Sequence, residues 1–198
     1  MSDHSHGPEA AYRRWGYAAE REAQRSGRAV ADMFPEHAAP VELQDGDQRF
    51  TLREDDLWCR AKAKVDAWDL DVAACDESHL AERYFRKEED GLTKKWEGRV
   101  WCNPPFSDIA PWVGKAWREF NEARAITIAM LLPASRTEQP WWQSGVEAYR
   151  DGRAELLGGV FATHFLPGRT RFGHPGNRDG IGVGLPPFGC VLLVWRKG

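Results

Sequence analysis

The chain has 198 residues, of which 42% are hydrophobic and 29% are charged. This balance is typical of a globular protein with a buried core and excludes a disordered or fibrous chain. The formal net charge of −3 excludes a strongly basic protein that binds nucleic acid without specificity.

The N-terminal quarter of the chain differs from the remainder. Residues 9–32 are rich in Ala, Glu and Arg, which predicts a helix, and residues 34–48 are interrupted by two prolines and a glycine, which predicts a linker. We therefore divide the chain into a helical extension with a linker, residues 1–49, and a main domain, residues 50–198.

The sequence gives no sign of export, of a membrane span or of a metal site. The N-terminus lacks the basic-then-apolar pattern of a secretory signal, and no apolar run approaches the ~20 residues of a membrane helix, so we expect a cytoplasmic location and no membrane partner. No two of the four cysteines have the Cys-x-x-Cys spacing of a zinc site, so we expect no metal.

From residue 55 onward, helical and extended patterns alternate. Residues 55–65 predict a helix, residues 67–73 a short strand, and the charged residues 78–88 a short helix. Residues 98–102 predict a strand that must end at the Asn-Pro-Pro-Phe loop, residues 103–106, because two prolines cannot continue a sheet ladder.

The clearest periodicity in the chain follows this loop. Apolar residues recur at helical spacing from Ile109 to Phe120, which predicts an amphipathic helix with Ser107 or Asp108 as its N-cap. Residues 125–132 form a continuous apolar run, as in a strand that is covered on both faces. Strand, helix and strand in this order predict the βαβ unit of a parallel sheet.

The last third of the chain predicts one more helix and two strands. Residues 137–149 have a helical pattern, and the apolar runs at 154–165 and 189–195 suit an antiparallel pair. The predicted fold class is therefore α/β, with a Rossmann-like sheet that is mostly parallel and ends in an antiparallel C-terminal strand pair.

The Asn-Pro-Pro-Phe loop matches a known signature, (Asp/Asn/Ser)-Pro-Pro-(Tyr/Phe/Trp), of S-adenosylmethionine-dependent amino-methyltransferases. Further segments narrow the choice: Leu70-Asp71-Val72-Ala73-Ala74, Asp90-Gly91-Leu92, Trp96-Glu97-Gly98, Trp112-Val113, Leu131-Leu132-Pro133-Ala134 and Gly168-Arg169-Thr170-Arg171-Phe172. Together they resemble the small phage-type DNA N6-adenine methyltransferases of the Dam group. The resemblance covers about residues 50–198 and implies that they form a methyltransferase catalytic domain.

The loop residues suit methylation of an amine whose lone pair is delocalised into an aromatic ring. The side-chain oxygen of Asn103 and the backbone carbonyl of Pro104 can each accept one amine hydrogen, which localises the lone pair. Pro104 and Pro105 restrict the backbone, and Phe106 offers an apolar face for a base that is rotated out of the duplex. We expect these four residues to be catalytic.

The resemblance also implies a site for the cofactor, S-adenosylmethionine, after the first strand of the sheet. Related enzymes carry a glycine-containing motif there for the methionine end and an acid further on for the adenine amine. The matching residues are Asp71, Ala73, Ala74 and Cys75 for the methionine end and Asp90 for the adenine.

This cofactor region departs from the family pattern in two respects. Alanines stand at positions 73 and 74, where the family usually has glycines. The stretch between Cys75 and Asp90 is too short for an obvious second acidic strand that would hold the ribose. Asp76 or Glu77 are the candidates for that role.

Candidates for contact with double-stranded DNA cluster in the last third of the chain. Each is either a phosphate or base-edge contact or the partner of a surface ion pair, and the sequence leaves both open. They are Arg136, Arg169, Arg171, His174 and Arg178. A monomer and a homodimer are equally compatible with the sequence.

The sequence therefore predicts a DNA adenine N6-methyltransferase that acts on a flipped-out adenine. Because the same loop chemistry serves other amines and amides, cytosine N4, RNA and protein glutamine remain alternative substrates. The alanines at 73 and 74 leave open a catalytically inactive, DNA-binding relative. The chain contains ten tryptophans, and a high tryptophan content is also typical of carbohydrate-binding modules. The parallel-sheet pattern argues against that class.

Overall fold

The computed structural model describes residues 50–51, 53–150, 158–170, 172–173 and 187–198. Its helices are α1 (Arg53–Ala63), α2 (Ala110–Asn121) and α3 (Pro140–Gly145). Its strands are β1 (Phe50–Thr51), β2 (Leu70–Asp71), β3 (Gly98–Cys102), β4 (Ala125–Pro133), β5 (Gly159–Phe165), β6 (Phe172–Gly173) and β7 (Cys190–Lys197). The predicted extension, residues 1–49, lies outside the described residues.

Five of these strands form one sheet in the order β2-β3-β4-β7-β5. The pairs β2·β3 and β3·β4 are parallel, and β7 runs antiparallel to both of its neighbours, β4 and β5. Strands β1 and β6 form a separate antiparallel pair. The predicted α/β fold, with parallel strands followed by an antiparallel C-terminal pair, is confirmed.

The central βαβ unit, β3–α2–β4, also matches the prediction. Helix α2 buries the predicted apolar stripe, which includes Trp112, Val113, Ala116, Trp117 and Phe120. Strand β4 is buried throughout except at Ile126, because elements pack on both of its faces.

The predicted N-cap of α2 is wrong. The cap position is Ile109, which makes no side-chain capping bond. The N–H of Asp108 instead donates to the carbonyl of Pro105 at 3.3 Å, which closes a turn before the helix begins. Because Pro111 in the first turn has no N–H, one of the orphan donors that a cap would satisfy is absent.

The predicted helix over residues 78–88 is also wrong. Tyr84 forms a parallel bridge with Asp71, the N–H of Asp71 donates to the carbonyl of Arg83, and the N–H of Phe85 donates to the carbonyl of Asp71. The charged composition favours a helix, but pairing with the open edge of β2 satisfies the backbone instead. A short extended stretch, residues 83–85, therefore does fit between Cys75 and Asp90.

The helix predicted over residues 137–149 is shorter, since α3 ends at Gly145 and a 3₁₀ turn follows at Glu147–Tyr149. The indole N–H of Trp117 donates to the carbonyl of Gly145 at 2.7 Å, and a Cβ on Gly145 would lie 2.8 Å from the Val113 side chain. Close packing on α2 therefore ends the helix.

Tryptophan side chains make up much of the core. Among the described residues, Trp96, Trp101, Trp142 and Trp195 are almost completely buried. The Trp117 and Trp195 ring centroids lie 5.5 Å apart, edge to face. No helix in the described ranges combines the length and apolarity that crossing a bilayer requires.

Candidate active site

Two neighbouring parallel strands, β2 and β3, end at the same edge of the sheet. Asp71, the last residue of β2, is in register with Trp101, and β3 ends one residue later at Cys102. Adjacent strands lie about 4.8 Å apart, so the loop after β2 and the Asn-Pro-Pro-Phe loop after β3 start side by side. Ligands of open α/β sheets bind at such an edge.

Asp71 places a buried carboxylate at this edge. Its side chain is 3% exposed and accepts hydrogen bonds from the N–H of Ala73 at 3.3 Å and from the N–H of Leu80 at 3.0 Å. Burial raises the pKa of Asp71 to about 6, while the two hydrogen bonds act in the opposite direction. The carboxylate therefore organises the loop that follows β2.

Ala73, Ala74 and Cys75, the residues assigned to the methionine end, follow β2 closely along the chain and are half-buried. Their amide groups are already bonded within the protein. The N–H of Ala74 donates to the carbonyl of Phe85 at 3.0 Å, and that of Cys75 donates to the carbonyl of Ser78 at 3.1 Å. The small side chains, rather than free amides, are what this loop offers to a ligand.

Asp90 is brought beside the same strand end by its neighbour Gly91. A Cβ on Gly91 would lie 2.1 Å from the carbonyl oxygen of Val72, so only glycine fits there. The Asp90 carboxylate is exposed and accepts from the N–H of Leu92 at 3.1 Å. The indole N–H of Trp96 donates to the Gly91 carbonyl at 2.8 Å. The sequence analysis placed Trp96 in a segment of the family resemblance but assigned it no role in the site.

Asp76, one of the two ribose candidates, is engaged in a surface cluster. Its carboxylate accepts from the hydroxyl of Tyr84 and from Nε of Arg86, both at 2.6 Å. The Tyr84 hydrogen bond and the Arg86 guanidinium lower the pKa of Asp76. The cluster closes the loop after β2 onto the extended stretch 83–85, while Glu77, the other candidate, is exposed.

The Asn-Pro-Pro-Phe loop is buried at Pro104 and Phe106 and half-buried at Asn103 and Pro105. The side-chain oxygen of Asn103 is shielded from solvent, and Pro104 is buried. Phe106 is 7% exposed, and its ring packs edge to face against Phe172 and Phe188, each with a centroid distance of 6.0 Å. The ring that we expect to contact a flipped base is therefore enclosed by two other aromatic rings in this structure.

Of the predicted DNA contacts, two lie in the described ranges. The guanidinium of Arg136 donates to the backbone carbonyl of Phe106 at 2.6 Å, so this side chain contacts the Asn-Pro-Pro-Phe loop. Arg169 is exposed in the turn after β5, next to Gly168, which has a φ of 74°. The remaining candidates, Arg171, His174 and Arg178, lie outside the described residues.

Comparison of the sequence with known families and curated proteins gives matches to DNA N-6-adenine-methyltransferases. The family described as DNA N-6-adenine-methyltransferase (Dam) matches residues 43–152. The DNA N-6-adenine-methyltransferase of Escherichia phage T1 is 29% identical over 147 residues, which cover 63% of this chain and 60% of that protein. The enzyme of the same name from Haemophilus phage HP1 is 33% identical over 66 residues, which cover 33% of this chain and 38% of that protein.

The alignments thus span less than two thirds of either relative's length. The matched family segment contains both strand ends of the site and the Asn-Pro-Pro-Phe loop. Because that segment makes up more than half of the sequence, the chain belongs to the DNA N-6-adenine-methyltransferase (Dam) family.

Proposed function

We propose that the chain transfers a methyl group from S-adenosylmethionine to the exocyclic N6 amine of an adenine in double-stranded DNA. The observation that carries this proposal is the Asn-Pro-Pro-Phe loop, which follows β3 directly beside the buried carboxylate at the end of β2. Membership of the Dam family supports adenine in DNA as the substrate. The catalytic domain would be residues 50–198, acting in the cytoplasm.

The charges at the end of β2 fit a cationic methyl donor. S-adenosylmethionine carries a sulfonium and an amine, and it supplies an electrophilic methyl group. Burial disfavours the ionised form of Asp71, and a cation that binds beside it would favour that form, so the buried carboxylate would attract the cationic end of the donor. We assign the methionine end to Asp71 with Ala73, Ala74 and Cys75, and the adenine amine to the exposed carboxylate of Asp90.

The loop residues would activate the target amine by accepting its hydrogens. Asn103 accepts one through its side-chain oxygen and Pro104 accepts the other through its backbone carbonyl, so the nitrogen lone pair is localised and aimed away from the ring. One such preorganised group changes the rate by about 10²- to 10³-fold. No strong base is needed, because the methylated ammonium product is itself acidic and loses its proton readily.

DNA would approach over the same edge of the sheet. Arg169 is exposed and is positioned to contact phosphate, and Arg171, His174 and Arg178 remain sequence predictions for the same role. The aromatic cluster of Phe106, Phe172 and Phe188 would border the flipped base. The chain would work as a monomer or a homodimer.

A labelling experiment tests this function. The protein is incubated with methyl-labelled S-adenosylmethionine and unmethylated double-stranded DNA, and the digested nucleosides are separated. Label in N6-methyladenine supports the proposal. Label in N4-methylcytosine, RNA or glutamine of a protein substrate would instead assign a sister activity.

The inactive, DNA-binding alternative makes a separate prediction. DNA affinity would then persist while calorimetry shows no heat with S-adenosylmethionine or its demethylated product. Binding of the cofactor with no label in any substrate class would reject the proposed chemistry but not the cofactor site.

A further inference from the structure

We propose that Arg136 is a positioning residue that holds the Asn-Pro-Pro-Phe loop in its active geometry, rather than a contact to DNA; this rests on the proposed function. Its Nη1 atom donates to the Phe106 carbonyl at 2.6 Å across 30 positions of sequence. Arg136 follows β4 and Phe106 follows β3, so the bond joins the loops at the ends of two adjacent parallel strands.

The loop needs such an anchor because it has few backbone donors of its own. Pro104 and Pro105 have no N–H, so neither can be held by donating to a neighbouring strand. The carbonyl of Pro105 accepts from the N–H of Asp108 at 3.3 Å, and the carbonyl of Phe106 accepts from Arg136 at a shorter distance. A charged donor makes the stronger bond of the two.

The anchor is itself fixed on both sides of Arg136. The N–H of Ala134 donates to the carbonyl of Gly189 at 2.8 Å, and the N–H of Gln139 donates to the Arg136 carbonyl at 3.3 Å. The side-chain amide of Gln143, in α3, donates to the carbonyl of Thr137 at 2.7 Å. The turn that contains Arg136 is therefore hydrogen-bonded to Gly189, directly before β7, and to Gln143 in α3. Because the turn is fixed, its bond to the Phe106 carbonyl also fixes the loop.

The consequence for catalysis follows from the spacing within the loop. Asn103 and Pro104, which carry the proposed acceptors, lie three and two positions before Phe106. If the Phe106 carbonyl is released, the loop loses the constraint that this bond places on both acceptors relative to the methyl donor. A misplacement of about 1 Å in an active site costs on the order of 10²-fold in rate.

A positioning role and a DNA contact change different kinetic quantities. Loss of a phosphate contact weakens DNA binding and reduces the slope of log affinity against log salt by about 1. Loss of loop positioning lowers kcat, while the KM for DNA and its salt dependence remain as in the wild type. The two roles are therefore separated by a KM-against-kcat split.

The test compares Arg136→Met and Arg136→Lys with the wild type, using steady-state methylation of a DNA duplex at several salt concentrations. The matched control is Arg150→Met, because Arg150 pairs with Glu147 at 3.2 Å on the surface. We expect Arg136→Met to lower kcat by about 10- to 100-fold. Arg136→Lys should fall between it and the wild type, since an ammonium can donate to the same carbonyl, and Arg150→Met should be unchanged.

Thermal unfolding and calorimetry with S-adenosylmethionine show whether each variant is folded and binds the cofactor. A wild-type kcat in both Arg136 variants, or a loss confined to KM with a reduced salt slope, overturns the proposal. If Arg136→Met does not fold, the test uses Arg136→Lys alone, and a wild-type kcat in that variant overturns the proposal. A wild-type protein without any methyl transfer rejects the proposed function instead, so the two failures are distinct.

Discussion

The carboxylate of Asp71 accepts a hydrogen bond of 3.0 Å from the backbone N–H of Leu80, nine positions further along the chain. Because Asp71 is the last residue of β2, this bond ties the far end of the following loop to the edge of the sheet. The arrangement requires a charge to be buried, and burial of a charge lowers stability unless something compensates it. A site for a cationic ligand provides such a compensation.

The first prediction concerns the pH dependence of stability. Burial raises the Asp71 pKa from 3.8 to about 6, so folding favours the protonated form. The stability that this provides is fully present below about pH 4 and is lost as the pH rises through 6. The shift is equivalent to about 3 kcal/mol.

Urea unfolding of the wild type and of Asp71→Asn measures this effect, since the other carboxylates are common to both proteins. The free energy of unfolding of the wild type, relative to the variant, should fall by about 3 kcal/mol between about pH 3 and pH 7. A difference that stays constant with pH would contradict an elevated Asp71 pKa.

The second prediction concerns Asn103. Replacement by alanine removes one acceptor for the amine hydrogens, and kcat for DNA methylation should fall by about 10²- to 10³-fold. Binding of S-adenosylmethionine and the melting temperature should change little. Asn121→Ala, at the end of α2, is the matched control and should keep its activity. Undiminished turnover in a folded Asn103→Ala protein would refute the proposed mechanism.

The third prediction concerns the enclosed ring of Phe106. Because the side chain is 7% exposed and packs on Phe172 and Phe188, Phe106→Ala should lower the free energy of unfolding by about 3 kcal/mol or more. Phe165→Ala should cost no more than about 0.5 kcal/mol, since that ring is 54% exposed. Chemical denaturation of both variants gives the comparison. Equal losses would show that Phe106 is open in solution.

The fourth prediction concerns the contact between Gly91 and the end of β2. A Cβ on Gly91 would lie 2.1 Å from the carbonyl oxygen of Val72, so Gly91→Ala must displace the Asp90 segment. We expect a loss of about 1 to 3 kcal/mol in stability, together with weaker binding of S-adenosylmethionine. The control is Gly189→Ala, in which the nearest atom to the new Cβ, the carbonyl oxygen of Gly168, lies 3.9 Å away at an ordinary van der Waals distance. If calorimetry shows that Gly91→Ala binds S-adenosylmethionine with unchanged affinity, Asp90 does not belong to the cofactor site.

Local patterns predicted the central part of the fold well. Strand β3 has the predicted bounds, and α2 and β4 differ from prediction by one residue at their ends. The apolar pattern that predicts each of these elements, periodic or continuous, lies entirely within the element itself. The extended stretch 83–85 was missed because its partner is the edge of β2, and its charged composition does not indicate that pairing.

Within the site, too, features set by neighbouring residues were predicted and contacts between distant segments were not. The two prolines and the asparagine before Phe106 indicated a rigid loop at a strand end, and the structure has that loop there. The contact of Arg136 with the loop was not visible, and the sequence suggested DNA as its partner. The hydrogen bond from Trp96 to Gly91 was not predicted for the same reason, since it depends on how distinct segments of the chain pack.

The sequence by itself determined the β3–α2–β4 unit and the place of the Asn-Pro-Pro-Phe loop at the end of a strand, because apolar periodicity and backbone restriction are properties of neighbouring residues. Only the tertiary structure decided that Asp71 is buried, that Phe106 is enclosed and that Arg136 donates to the Phe106 carbonyl. Burial and hydrogen bonds between segments 30 positions apart depend on which surfaces come together, and the local pattern carries no record of that.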